Sequence, residues 1–173
     1  MYNQKHVVAK RIVFGILALA MMAVIFFMSS QNGDESGGLS DGLTKFVVDT
    51  IENVFKVKFE NPEEALDTVS LIIRKGGHFS EYFVLSVFVT LFMYTIRLNR
   101  VALSGISLAF CSLYAVTDEF HQSFVSDRFA SPVDVGIDSS GALLATAIIL
   151  IIFAIAQKKR DKKEDIQVET YPI

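Results

Sequence analysis

The sequence predicts an all-α fold: an integral membrane four-helix bundle with amphipathic interfacial helices between spans one and two. Three observations carry this reading. Apolar residues make up 51% of the 173 and the mean hydropathy is +0.43, which exceeds an ordinary soluble domain. The excess is gathered into long apolar blocks, each near the roughly 20 residues that a helix needs to cross hydrocarbon. Lys and Arg sit in short clusters flanking those blocks. That distribution is not the basic footprint of a nucleic-acid binder, so no nucleic-acid partner is expected. The lone Cys111 lies inside an apolar run and excludes both an intrachain disulfide and a zinc-type Cys cluster.

In chain order, residues 1–11 form a basic cytoplasmic N-terminus carrying Lys5, Lys10 and Arg11. Span one is expected at about 12–28. A cleavable signal peptide would start similarly, but the apolar run is long and no Ala-x-Ala site follows, so an uncleaved transmembrane helix is the better reading. Residues 29–38 (SSQNGDESGG) have loop composition. Leu39, Leu43, Phe46, Val47, Ile51, Val54 and Phe55 then recur at helical spacing opposite Asp41, Lys45, Asp49 and Glu52. A helix so patterned lies in the interface plane with its apolar stripe toward lipid or the bundle. Asn61-Pro62-Glu63-Glu64 starts a second helix, with Asn as N-cap, Pro first, and acids at the positive dipole end. It either runs through Gly76-Gly77 or breaks there. Residues 29–75 therefore read as an extracytoplasmic amphipathic insertion. Spans two and three fall at about 77–96 and 101–119, and the short turn between them makes an antiparallel hairpin. Span four, about 133–156, opens on Ser131-Pro132-Val133-Asp134, a capping box with Pro in first position. The charged tail, 157–173, reads as disordered and cytoplasmic.

The basic clusters set orientation. The N-terminus, the Arg97–Arg100 turn and Lys158-Lys159-Arg160 fall on one side, expected to be the cytoplasmic side of the cell membrane. Residues 29–73 hold three lysines against nine acids and fall on the other. Arg74 and Lys75 run against the rule.

Two polar stretches interrupt the apolar pattern at that outer side: Arg74–Tyr82 (RKGGHFSEY) and Thr117–Gly141. Ionisable groups near a bilayer need a reason, since each costs about 2.5 kcal/mol or more at its centre. His78, Glu81 and Tyr82 share one helix face by i, i+3, i+4 spacing, and Asp118, His121 and Gln122 do the same. Asp138 lies one turn inside span four, and Gly141 and Ala145 on its face permit close helix approach. Three helices are thus expected to form one polar pocket. His78, Glu81, Asp118 and His121 are the candidate catalytic residues. Asp118 could hold His121 as a general base, and Lys75 and Arg128 could pair with an anionic group. No metal or other cofactor is required, and no His-Glu-x-x-His pair exists; if a metal binds, the same four residues would ligate it. Ser29, Ser30 and Ser80 are possible nucleophiles without a distinguishing context. Asp134 reads as a helix cap first, while Glu119 and Asp127 fall off the shared face and read as solvated.

These motifs also carry a resemblance. FFMSSQ closing span one, K-G-G-H-F-S-E-Y opening span two, D-E-F-H-Q-S-F-V-S-D-R and the later D-V-G-I-D-S-S-G resemble, in that order, the VanZ-like family of bacterial membrane proteins. The family is named for a teicoplanin-resistance protein, and the resemblance runs from Ile12 to about Ile152. It places the family's polar signature on Ser30, Gln31, Lys75, His78, Glu81, Tyr82, Asp118, Glu119, His121, Gln122, Arg128, Asp134, Asp138 and Gly141. The chain departs at Asp127, where Gly often precedes the Arg. The resemblance implies a link to glycopeptide resistance or the cell envelope, and no particular reaction. The expected function is a pocket that binds an anionic lipid-linked or cell-wall group, using Lys75, Tyr82, Glu119, Gln122, Arg128 and Asp138, with membrane lipids as further partners. The alternatives are a membrane-embedded hydrolase or transferase, and a non-catalytic scaffold docking through residues 39–59.

Overall fold

The computed structural model describes residues 4–30, 33–96, 98–125 and 130–170, with side chains from 42 onward in the second segment and up to 163 in the last. They form α1 (Gln4–Ser29), α2 (Gly33–Phe55), α3 (Pro62–Tyr94), α4 (Arg100–Gln122) and α5 (Pro132–Thr170), with no strand among the described residues. Four of the helices, α1, α3, α4 and α5, are long and apolar enough to cross a membrane. The fold is an all-α membrane four-helix bundle, with α2 beside the spanning set.

Helix α3 is the hub, packing against α5, α1, α2 and α4. At 33 residues it is about 50 Å long, well beyond the ~30 Å of hydrocarbon. The helix that begins at Pro62 and the expected second span are therefore one continuous element. Gly76 and Gly77 do not break it. Each glycine costs about 1 kcal/mol in a helix interior, less than restarting a helix on the far side would. Helix α5 likewise continues to Thr170, where the sequence reads as a disordered tail from Gln157. Extending a formed helix through Lys, Arg, Gln and Glu is cheap, because propagation adds a hydrogen bond per residue.

Local signals explain the ends. Asn99 caps α4, its Oδ1 accepting from the Ala102 N–H at 2.8 Å. Asn61 precedes Pro62 at the start of α3, but its side chain makes no capping bond. Helix α2 stops at Lys56, which takes the left-handed φ of 55° common just past a helix end. Arg11 of α1 donates to the Thr95 carbonyl at 2.9 Å and to its hydroxyl at 3.1 Å, satisfying the C-terminal end of α3. Arg100 bonds Gln157 at the same end of the bundle.

The core gathers Ala18, Ile25, Tyr82, Leu85, Val89, Cys111, Ala115 and Ala142. Large apolar side chains on the outer surfaces of α1, α4 and α5, such as Ile16, Leu19, Leu113, Leu143 and Ile152, are exposed, as a lipid-facing belt requires. On α2 the buried residues are Thr44 and Val48, whereas Leu43, Phe46, Val54 and Phe55 stay exposed. The stripe expected from spacing is thus mostly turned away from the bundle, because α3 takes the adjoining face.

Between α3 and α5 the backbones nearly touch. A Cβ added at Gly141 would collide with the Phe79 carbonyl oxygen and sit 3.3 Å from the Phe83 nitrogen. Further along, Ser86 Oγ donates to the Ala142 carbonyl at 2.9 Å and meets Thr146 Oγ1 at 2.9 Å. Small and hydroxylated residues permit this approach where apolar burial gives helices no preference for each other over lipid. Replacing Gly141 with Ala should therefore destabilise the detergent-purified protein by about 1–3 kcal/mol in thermal unfolding. Gly136→Ala, whose Cβ meets nothing within 4 Å, should stay within about 0.5 kcal/mol of wild type.

Candidate functional site

Helices α1 and α4 end, and α5 begins, at one end of the bundle, while α3 passes through it. Spacing then aims the polar side chains inward. Lys75, His78 and Tyr82 repeat at i, i+3, i+7 along α3; Asp118 and Gln122 are one turn apart on α4; Asp134 and Asp138 are one turn apart on α5.

At the centre lie His78, Asp118 and Asp138, whose donor atoms are all within 4.8 Å of one another. Asp118 is 3% exposed, and its Oδ2 accepts from Ser29 Oγ at 2.8 Å and from Gln122 Nε2 at 3.1 Å. Gln122 Nε2 also reaches Ser29 Oγ at 3.3 Å. Asp118 Oδ1 has no hydrogen-bond partner. Asp138 is 0% exposed and neither of its oxygens is hydrogen-bonded. Its nearest charge partner is His78, with Nδ1 3.7 Å from Oδ1, beyond hydrogen-bond range. Tyr82 lies one turn deeper, fully buried, with its hydroxyl unpartnered.

A rim surrounds this centre. Lys75 ion-pairs with Asp134. His121 stacks on Phe26 with ring centroids 4.4 Å apart, and its Nε2 meets Ser30 Oγ at 3.1 Å. Ser30 Oγ donates to the Phe26 carbonyl at 2.6 Å. Glu119 is 5% exposed and accepts the Ser131 backbone N–H at 2.5 Å.

The structure sorts the expected residues. It brings His78 and Asp118 together with Asp138, rather than with Glu81 and His121. Glu81 is half-buried on α3 outside the central trio, and His121 faces the rim. Arg128, Asp127 and Gln31 lie outside the described residues. Two readings exchange. The acid that satisfies the Ser131 N–H is Glu119 from α4, not the expected capping-box acid Asp134, whose carboxylate is held by Lys75. Glu119 is consequently buried rather than solvated. Ser29 is the residue that spacing passed over, named only as a possible nucleophile; its place at the end of a long apolar run was the available signal.

The comparisons bear on the whole assembly. A family model described as VanZ/LLP1 matches residues 14–153. The chain belongs to the VanZ/LLP1 family. Every residue of the centre and the rim falls inside the matched VanZ/LLP1 region. Neither the curated proteins nor the solved structures returned a match.

Asp118 is the most heavily supported side chain here, so its supports are testable. Ser29→Ala should cost about 1–3 kcal/mol in unfolding, because it strips a bond from a buried carboxylate. A double-mutant cycle with Gln122→Ala should show a coupling of about 0.5–3 kcal/mol, since the two donors share one oxygen. Additive losses would mean that the three groups do not act as one network.

Proposed function

We propose that this VanZ/LLP1 membrane protein resides in the bacterial cell membrane with both termini cytoplasmic, and that the polar end of its bundle opens outward to bind an anionic lipid-linked or cell-wall group. Binding there would lower susceptibility to teicoplanin. One observation carries the reading. Each of the four spanning helices supplies a polar side chain to the same end: Ser29 from α1, His78 from α3, Asp118 from α4 and Asp138 from α5. Burying such groups costs several kcal/mol apiece unless they are hydrogen-bonded or paired, and a bundle needing only stability would fill those positions with apolar residues.

Orientation follows from the opposite end, where Lys10, Arg11, Arg100 and Lys158 to Arg160 gather and the positive-inside rule makes that side cytoplasmic. The anion is held at the rim, because the cations lie there while the buried centre holds the carboxyl groups of Asp118 and Asp138. Among the described residues, Lys75 and exposed Arg74 beside it in sequence offer cations there, with Lys75 able to exchange its Asp134 partner for a ligand oxygen.

A second reading, a membrane-embedded hydrolase or transferase, is favoured by the Ser30–His121 contact at 3.1 Å. Its nucleophile would be Ser30 and its base His121. Against it, Ser30 already donates to the Phe26 carbonyl.

Cells carrying Lys75→Ala, Asp118→Asn or His121→Gln should lose the wild-type shift in teicoplanin susceptibility while the proteins still insert, as checked by membrane fractionation. Full retention of the shift by all three sinks the pocket reading. Loss confined to Ser30→Ala and His121→Gln moves the assignment to the enzyme.

A further inference from the structure

We propose that His78, Asp118 and Asp138 form a divalent transition-metal site, of the zinc or manganese class. The site stands on its own geometry, whatever group the rim binds.

Convergence is the first ground. Three donors from three different helices lie within 4.8 Å of one another, whereas donors at about 2.1 Å around a tetrahedral ion are ~3.4 Å apart. Small side-chain rotations close that difference. One imidazole and two carboxylates suit zinc or manganese rather than a thiophilic ion. Three protein ligands also leave a position open, as at metal sites that bind an exogenous group.

The unpartnered oxygens are the second ground, independent of the first. Asp138 is wholly buried with both oxygens lacking a hydrogen bond. A protonated carboxyl at this position would be expected to donate its O–H, and an ionised one to accept from several donors; neither pattern is present. Asp118 is half satisfied. Ser29 and Gln122 both hold Oδ2, fixing the carboxylate, while Oδ1 remains without a partner in a residue whose ligand atom lies within 4.8 Å of those of His78 and Asp138. Hydrogen bonds that orient a ligand from behind are the usual support of a metal site. Tyr82, whose buried hydroxyl is also unpartnered, lies within electrostatic reach of both aspartates, placed to bond a water or ligand oxygen on the ion.

A bound divalent ion would also invert the local charge of the two buried carboxylates and give a phosphate or carboxylate oxygen a partner.

The test uses full-length protein in detergent, stripped with EDTA and titrated with zinc or manganese chloride, with bound metal measured by mass spectrometry. Wild type should take up about one ion per chain and unfold at a higher temperature with metal than with EDTA. His78→Ala and Asp138→Asn should each weaken binding by roughly tenfold or more. Ser29→Ala, a positioning change, should weaken it by about 10- to 100-fold. His6→Ala, at the other end of α1, should bind as wild type does. Wild type that takes up no metal and shows no thermal shift overturns the site, as do His78 and Asp138 variants that fold and bind like wild type. The metal readout is separate from the susceptibility assay. A chain that binds zinc without affecting susceptibility overturns the proposed function alone, and a chain that affects susceptibility without binding metal overturns only the metal site.

Discussion

The near-contact of the α3 and α5 backbones at Gly141 and Phe79 is the constraint on which the rest of the structure depends. Helices surrounded by lipid gain nothing by hiding apolar side chains from water, so association rests on close packing and interhelical hydrogen bonds. Gly141 supplies the closeness and Ser86 with Thr146 supplies the bonds. His78 is the residue before Phe79, and Asp138 is one turn before Gly141. The distance between the His78 and Asp138 side chains, 3.7 Å from Nδ1 to Oδ1, is therefore set by the same packing that holds the bundle together. A larger residue at 141 would separate both pairs at once.

Around that interface the acids divide the work in a way that binds α4 to α5. Glu119, in the last turn of α4, accepts the N–H of Ser131 just before α5 begins. A carboxylate at a helix N-terminus is favoured by the dipole and by the unsatisfied N–H groups there. With that place filled from a neighbouring helix, Asp134 is available to Lys75. The pair ties α5 to α3 at the rim, as Glu119 ties α5 to α4. The two contacts leave Asp138 as the acid of this group with no cation or N–H assigned to it within hydrogen-bond distance.

Much of this was legible in the sequence, because hydropathy and side chain spacing are local. Four apolar blocks gave the spans, and the i, i+3, i+4 pattern set His78 with Glu81 and Tyr82, and Asp118 with His121 and Gln122, while Asp138 stood out separately, one turn inside span four. What failed was non-local. The capping box at Ser131–Asp134 fits its local pattern, yet Glu119 arrives from twelve residues upstream and takes the bond. Spacing assigned Glu119 to solvent because a helical wheel cannot know that α5 starts over that face. Ser29 carries no periodic signal, being the last residue of α1, and its role depends on α4 ending at the same level. Gly76-Gly77 left two readings open, and the charged tail reads as disordered, for a different reason: composition describes the cost of starting a helix, and both segments only continue one.

The distribution of charge along the spans narrows what such a site can do. Between Arg11 and the end of α1, between Glu81 and Tyr94 on α3, between Arg100 and Asp118 on α4, and between Asp138 and Lys158 on α5, there is no Asp, Glu, Lys, Arg or His. Beneath the trio, Tyr82, Ala115 and Ala142 are fully buried and lead into the apolar core. Ion pumps and proton relays need ionisable groups in series through the membrane, and these spans have none past the first turns. The ionisable residues of the spans are thus confined to their ends, with the apolar core between them. That confinement fits the proposed binding at one membrane face.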